Sequence, residues 1–249
     1  MFLNILILFL VPFIAGMAAL GSAKATSGKY INHTLIFSGA YLLAITVIHV
    51  LPELYTIAGD KAMQIGIYVL IGFFIQQFLE FLTSGVEHGH MHQINHEHHH
   101  SKSSATLVML GLCMHAFLEG TLLARPSSIH THDEVGSLLM GIVIHKIPAA
   151  IALMSVVLCY MSSKTRMVVF LAIFALASPF GLLLSDLAFE KGLLGSNSMV
   201  ILFGVVSGNF LYISTTIFFE SSPGHRFNVR KLGISLVGVL VAIAFNYFL

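Results

Sequence analysis

Three side chains with metal-binding chemistry lie inside two apolar segments of the sequence. His115 and Glu119 lie near the middle of residues 105–125, and their spacing of four places them on one face of a helix. His145 lies near the middle of the next apolar segment, residues 135–159. An ionisable group at mid-membrane depth costs about 2.5 kcal/mol or more, so it usually faces a cavity or a partner. Because imidazole nitrogen and carboxylate oxygen suit zinc and similar divalent ions, the three side chains predict a shared metal site.

A lysine directly follows the second histidine. Lys146 is rotated by about 100° around the helix from His145. It either neutralises Glu119 or occupies the space of a second cation, and both roles favour a single metal ion bound with moderate affinity. The alternative is a lysine that reaches an aqueous cavity and has no specific role.

The composition is that of a polytopic membrane protein. Of 249 residues, 57% are hydrophobic and 9% are charged, whereas soluble domains carry about 25% charged residues. The net charge of +1 gives no case for a nucleic-acid partner, and two cysteines make no disulfide framework. We therefore expect an all-α integral membrane protein with one transmembrane domain, residues 1–249, in contact with the lipid bilayer.

Apolar segments divide the chain into eight predicted transmembrane helices. Residues 1–22 lack a positive n-region and are longer than a signal-peptide core, so we take them as the first span. The eight predicted spans are 1–22, 35–57, 64–84, 105–125, 135–159, 165–186, 198–219 and 231–249.

Basic residues in the connections predict the orientation. With the N-terminus outside, the inner connections carry Lys24, Lys29, Lys102, Lys164, Arg166, Arg226, Arg230 and Lys231, and the outer ones carry Lys61, Arg125 and Lys191. This excess inside favours both termini outside. Short loops and small size fit a cell inner (plasma) membrane.

Two segments hint at an internal repeat. Residues 38–48, SGAYLLAITVI, align with residues 207–217, SGNFLYISTTI, and five positions are identical. The two spans would run in opposite directions, which suits an inverted repeat, although chance similarity of apolar helices is the competing explanation.

Two further groups of side chains are candidates for handling metal. His49 and Glu53 form another pair four residues apart near the predicted outer end of the second span, where they would act as an entrance relay or be ordinary interfacial polar groups. The loop 85–104 is a predicted cytoplasmic segment too polar to pack, and His-rich tracts bind metals loosely. Its histidines are His88, His90, His92, His96, His98, His99 and His100.

Taken together, these motifs resemble the ZIP (Zrt/Irt-like) family of divalent metal transporters. The motifs are HAFLEG at 115–120, HKIPAA at 145–150, HVLPE at 49–53, ASPFG at 177–181 and SGNFLY at 207–212. The resemblance implies an eight-helix bundle in a 3+2+3 inverted-repeat arrangement. It also implies transport of zinc, with iron or manganese next, into the cytoplasm.

The resemblance also assigns ligands and shows departures. His115 and Glu119 match the fourth-span ligands of the family, and His145 matches the first polar position of the fifth-span motif. Ala116, Ala149 and Ser178 stand where many members place further polar or acidic residues. With Lys146 after His145, the fifth-span motif resembles that of the subgroup thought to hold one metal ion, in which a lysine takes the place of the second ion.

We therefore expect a divalent metal importer rather than an enzyme, and two alternatives stay open. One is an intramembrane metal-dependent hydrolase in which Glu119 is a base, although the chain has no H-E-x-x-H motif. The other is an exporter that uses the same ligands. The sequence does not fix the oligomeric state, and a homodimer is compatible with it.

Overall fold

The computed structural model describes residues 1–21, 28–83, 102–124, 134–161, 163–220 and 229–248. These residues form helices joined by short turns, and no strand occurs among them. The helices are α1 (Phe2–Gly21), α2 (Gly28–Ile45), α3 (Leu51–Ala58), α4 (Ala62–Thr83), α5 (Lys102–Thr121), α6 (Glu134–Tyr160), α7 (Lys164–Glu190), α8 (Ser196–Glu220) and α9 (Val229–Phe248). The prediction of an all-helical class is confirmed.

Among the described residues, six helical stretches are long and apolar enough to cross a membrane. They are Phe2–Gly21, Asn32–Phe81, Gly136–Leu158, Lys164–Glu190, Asn197–Phe218 and Val229–Tyr247. The chain is therefore an integral membrane protein. By helix length and apolarity, however, there are fewer such stretches than the eight predicted spans. The reasons are that Asn32–Phe81 is a single continuous stretch, and that the apolar part of α5, Val108–Thr121, is shorter than the roughly 20 residues of a full span.

The long stretch Asn32–Phe81 contains two interruptions. A π-helical turn, Thr46–Val50, separates α2 from α3. Pro52 follows it, and because proline has no N–H to bond the preceding turn, an inserted π turn is a natural accommodation. Gly59 then adopts a φ of +51° and opens a 3₁₀ turn, Gly59–Lys61, before α4 begins. This exposed turn divides the stretch into two legs, since 50 residues of straight helix would measure about 75 Å.

Glycines allow close contact between α5 and α7. A Cβ added at Gly120 of α5 would overlap the carbonyl oxygen of Ser178 in α7, and one at Gly181 of α7 would overlap the carbonyl oxygen of Phe117. Small residues let membrane helices approach closely where lipid gives no hydrophobic drive for association. The α5–α7 contact therefore fixes the helix that carries two of the predicted metal ligands.

Two prolines lie inside the helices around the site. Pro148 belongs to α6 and Pro179 to α7, and both helices continue through them. The second predicted ligand helix, α6, also packs along α1 and α2. As a result, α5 is held by α7, α6 is held by α1 and α2, and the two ligand helices also contact each other.

Candidate metal centre

The first two predicted ligands meet on one face of α5. Nε2 of His115 lies 3.1 Å from Oε1 of Glu119, as a spacing of one helical turn allows. His115 is 2% exposed and Glu119 is fully buried. A carboxylate removed from water in this way requires compensating partners.

The third predicted ligand comes from α6. The rings of His115 and His145 are perpendicular, at 87°, with centroids 5.8 Å apart. One ligand atom each from His115, Glu119 and His145 lie within 4.8 Å of one another. Among the residues that the structure describes, this is the one group of three or more histidine, cysteine or acidic side chains that could hold a metal ion.

The spacing of these atoms fits a four-coordinate divalent ion after a small closure. Zn–N and Zn–O bonds of about 2.1 Å at tetrahedral angles separate two ligand atoms by about 3.4 Å. The 3.1 Å between His115 and Glu119 is already close to that value. The widest pair of the three must close by about 1.4 Å at most, which side-chain rotation supplies. Three protein ligands leave one position for water or another donor.

Lys146 lies against the other oxygen of the carboxylate. Its Nζ is 3.2 Å from Oε2 of Glu119, and it stands over the ring of Phe174 in α7, 5.2 Å from the ring centre. Lys146 is 1% exposed, so it does not reach an aqueous cavity in this structure. One carboxylate and one ammonium cancel, and with neutral histidines the site carries no net charge before an ion binds.

The structure adds a residue that the sequence analysis did not name as part of the site. Asn209 of α8 is 1% exposed, and its Nδ2 lies 3.3 Å from Nδ1 of His115. The available signal was a side-chain amide inside an apolar helix, which usually marks a helix–helix contact or a polar site. It was missed because sequence spacing along α8 says nothing about contact with α5.

The positions that depart from the ZIP pattern have structural surroundings of their own. Ser178 is buried and its hydroxyl donates to the carbonyl oxygen of Ala116, which ties α7 to α5. Ala116 and Ala149 belong to one buried apolar cluster with residues of α5, α6 and α7. These three positions therefore serve packing between helices.

Apolar clusters lie on both sides of the site along the bundle. Leu35, Ile213 and Ile217 form one cluster, with Ile151 packed against it. Ile213 is four residues beyond Asn209 in α8, and Ile151 is six beyond His145 in α6.

A larger cluster contains residues that precede the site in the same two helices, including Ile142 of α6 and Phe203 of α8. Each of the three predicted ligands is 2% exposed or less, so the site is closed to solvent in this structure.

The remaining predicted residues are not brought to this centre. His49 lies in the π-helical turn and Glu53 in the first turn of α3, both half-buried and outside the group of three ligands. The histidines of the loop, His88 to His100, lie outside the described residues. Their predicted roles stay predictions.

Fold and site together define an all-helical integral membrane protein with a buried cluster of metal-ligating side chains. The profile of the family described as "ZIP Zinc transporter" matches residues 87–246. Because the match covers more than half of the chain, the protein belongs to this family.

Curated relatives agree with the family assignment. "Zinc transporter ZIP9-B" of Xenopus laevis and "Zinc transporter ZIP9" of Xenopus tropicalis are each 30% identical over 156 residues. Each alignment covers 61% of this chain and 50% of the relative. The chain thus spans about half the length of the curated relatives it matches.

Proposed function

We propose that the protein transports zinc across a membrane into the cytoplasm through the centre formed by His115, Glu119 and His145. The observation that carries this proposal is the closed group of three ligands between membrane helices, with its charge balanced by Lys146. A resident structural zinc would favour four protein ligands, whereas three ligands and a counter-charge suit an ion that must leave again.

Zinc is the proposed substrate because two imidazoles and one carboxylate are ligands that zinc prefers, and because the relatives are named zinc transporters. Neither the ligands nor the relatives' names favour iron or manganese. The hydrolase alternative is weaker, since both oxygens of Glu119 face cationic or metal-ligating partners, His115 and Lys146. A base needs a free lone pair directed at water.

The helix contacts support a 3+2+3 inverted repeat of eight crossings. In this arrangement α1 corresponds to α7, α2 to α8, α4 to α9 and α5 to α6. The correspondence accounts for the contacts: α4 packs on α8 as α9 packs on α2, and α5 packs on α7 as α6 packs on α1. The related pairs α1 and α7, α2 and α8, and α5 and α6 also touch. Ser38 and Ser207, which align in the sequence repeat, are both buried and both bond to a carbonyl in the preceding turn.

The proposed path begins at His49 and Glu53 and ends at the His-rich loop, with both termini outside an inner (plasma) membrane. The π-helical turn that contains His49 supports the entrance role, because such turns frequently mark functional sites. Apolar clusters on either side of the centre support alternating access, since a permanently open path would expose the ligands to water on one side.

The test is zinc uptake into proteoliposomes that contain the purified protein. We expect saturable zinc uptake and loss of that uptake in Glu119→Gln. Unlabelled zinc should compete with the uptake more strongly than iron(II) or manganese(II) does. His33→Ala is the matched control, because His33 lies in α2 outside the group of three ligands, and it should transport normally. Release of a lipid or peptide product without zinc flux would contradict the proposal. Zinc movement only out of the cytoplasmic side would favour an exporter.

A further inference from the structure

Asn209 of α8 is in contact with the centre but has no part in the path proposed above. Its side chain is 1% exposed, and Nδ2 faces Nδ1 of His115 at 3.3 Å. Its Oδ1 has no hydrogen-bond partner within the described part of the chain. A buried amide left half-satisfied costs free energy, so its retention next to a metal ligand calls for a role.

The two edges of the His115 ring have different partners. Nε2 faces Oε1 of Glu119 at 3.1 Å, which suits two ligands of one ion. Nδ1 faces Asn209 on the other edge of the ring. Asn209 therefore contacts a ligand, and it does not point at the position where the ion binds to Nε2.

The tautomer of His115 has to differ between the two states of the site. When Nδ2 of Asn209 donates to Nδ1, the neutral ring carries its hydrogen on Nε2, which lies 3.1 Å from Oε1 of Glu119. An ion can bind Nε2 only when that nitrogen is bare, so the hydrogen of the neutral ring is then on Nδ1. Water that enters with the hydrated ion takes up the Nε2 hydrogen, and a hydrogen from water is taken up at Nδ1, so the ring stays neutral and no net proton is released.

We propose that Asn209 is the positioning residue of the metal centre, and that its amide holds His115 in both states by rotating through 180°. In the metal-free state Nδ2 donates to bare Nδ1, and in the metal-bound state Oδ1 accepts from Nδ1–H. An amide has both a donor and an acceptor on one planar group, whereas an ionised carboxylate only accepts and an apolar side chain does neither. The proposal rests on the proposed metal site, because it assigns the means by which one ligand is kept in place.

A metal-ligating histidine almost always donates its second ring N–H to a fixed acceptor, and Asn209 would be that acceptor for His115. Loss of such an acceptor typically weakens metal affinity by about 10- to 100-fold. We expect Asn209→Leu, which keeps the shape and removes both polar atoms, to raise the apparent KM for zinc by about that factor. Asn209→Asp keeps the acceptor that the bound state needs, so its KM should stay within about threefold of native or fall below it.

The experiment measures zinc uptake and zinc-induced thermal stabilisation for the native protein, the two Asn209 variants and Ser214→Ala. Ser214 is the matched control, because it is a fully buried polar residue of α8 whose hydroxyl also lacks a partner within the described residues. Its variant should keep the native KM and the native stabilisation. Asn209→Leu should lose most of the zinc-induced rise in Tm, while its metal-free Tm should fall by no more than the loss of one buried hydrogen bond causes.

Three outcomes would overturn the proposal. They are a native KM in Asn209→Leu, a lowered metal-free Tm with unchanged zinc stabilisation, or an Asn209→Asp variant as weak as the leucine variant. If the native protein binds zinc but does not move it, the transport proposal fails, whereas the stabilisation measurement still decides the role of Asn209.

Discussion

Removing the charge of Lys146 should make the centre bind zinc more tightly and release it more slowly. Nζ of Lys146 lies 3.2 Å from Oε2 of Glu119, and the pair is almost fully buried. At an effective dielectric constant of about 20, the attraction between these two charges is about 5 kcal/mol. In Lys146→Met that attraction is gone, so an arriving divalent ion binds a Glu119 carboxylate that is no longer paired with another cation.

Only part of this energy should reach the binding constant, because side-chain relaxation, water and protons also compensate an unpaired buried carboxylate. We expect at least one tenfold step, about 1.4 kcal/mol, in the dissociation constant for zinc. The metal-free protein should lose about 3–5 kcal/mol of stability, the usual effect of removing one partner of a buried ion pair. Zinc should restore much of that loss.

The assay combines zinc titration in detergent with uptake into proteoliposomes. Lys146→Met should show a lower dissociation constant, a lower KM and a lower maximal rate, because a more tightly held ion leaves more slowly. Lys146→Arg keeps the charge and should stay within about threefold of native in affinity. Equal or weaker zinc binding in Lys146→Met would refute the idea that Lys146 sets the affinity of the site.

The remaining predictions concern packing and the peripheral residues. Gly120→Leu should abolish folding or transport, because even a Cβ at this position overlaps the backbone of α7, and detergent extraction with size-exclusion chromatography would reveal it. Ser178→Ala should cost about 1 kcal/mol through loss of the bond to α5, seen as a lower Tm with an unchanged KM; a changed KM would show that Ser178 contacts the ion path. His49→Ala should raise the KM while leaving the affinity of the central site native, and a native KM would remove the entrance relay. Deletion of residues 88–100 should leave proteoliposome uptake intact, since the three proposed ligands lie in α5 and α6, and lost uptake would contradict this.

The proximity of the three predicted ligands was predictable from the sequence, because the membrane limits the alternatives for such side chains, while their binding of a metal stays a prediction. A histidine and a carboxylate one turn apart in an apolar helix have few stable arrangements, and the structure brings His115, Glu119 and His145 together. It also places Lys146 against Glu119, one of the three arrangements that the sequence left open.

Contacts between distant helices were beyond the reach of sequence reasoning. The approach of Asn209 to His115 depends on how α8 crosses α5, and no periodicity within one helix encodes that crossing. The sequence marks Ser178 only as a position without a metal-binding carboxylate, whereas in the structure its hydroxyl joins α7 to α5. Length and apolarity identify six long stretches in the described residues, against eight predicted spans, because Asn32–Phe81 is one continuous stretch and the apolar part of α5 covers only Val108–Thr121.

The most direct test of the central claim is uptake of radioactive zinc into proteoliposomes by the native protein and by His115→Ala. We expect saturable uptake by the native protein and its collapse in the variant, with both proteins eluting as folded species. Absence of uptake by the folded native protein would contradict zinc transport, and equal uptake by the two proteins would place the ion path away from α5.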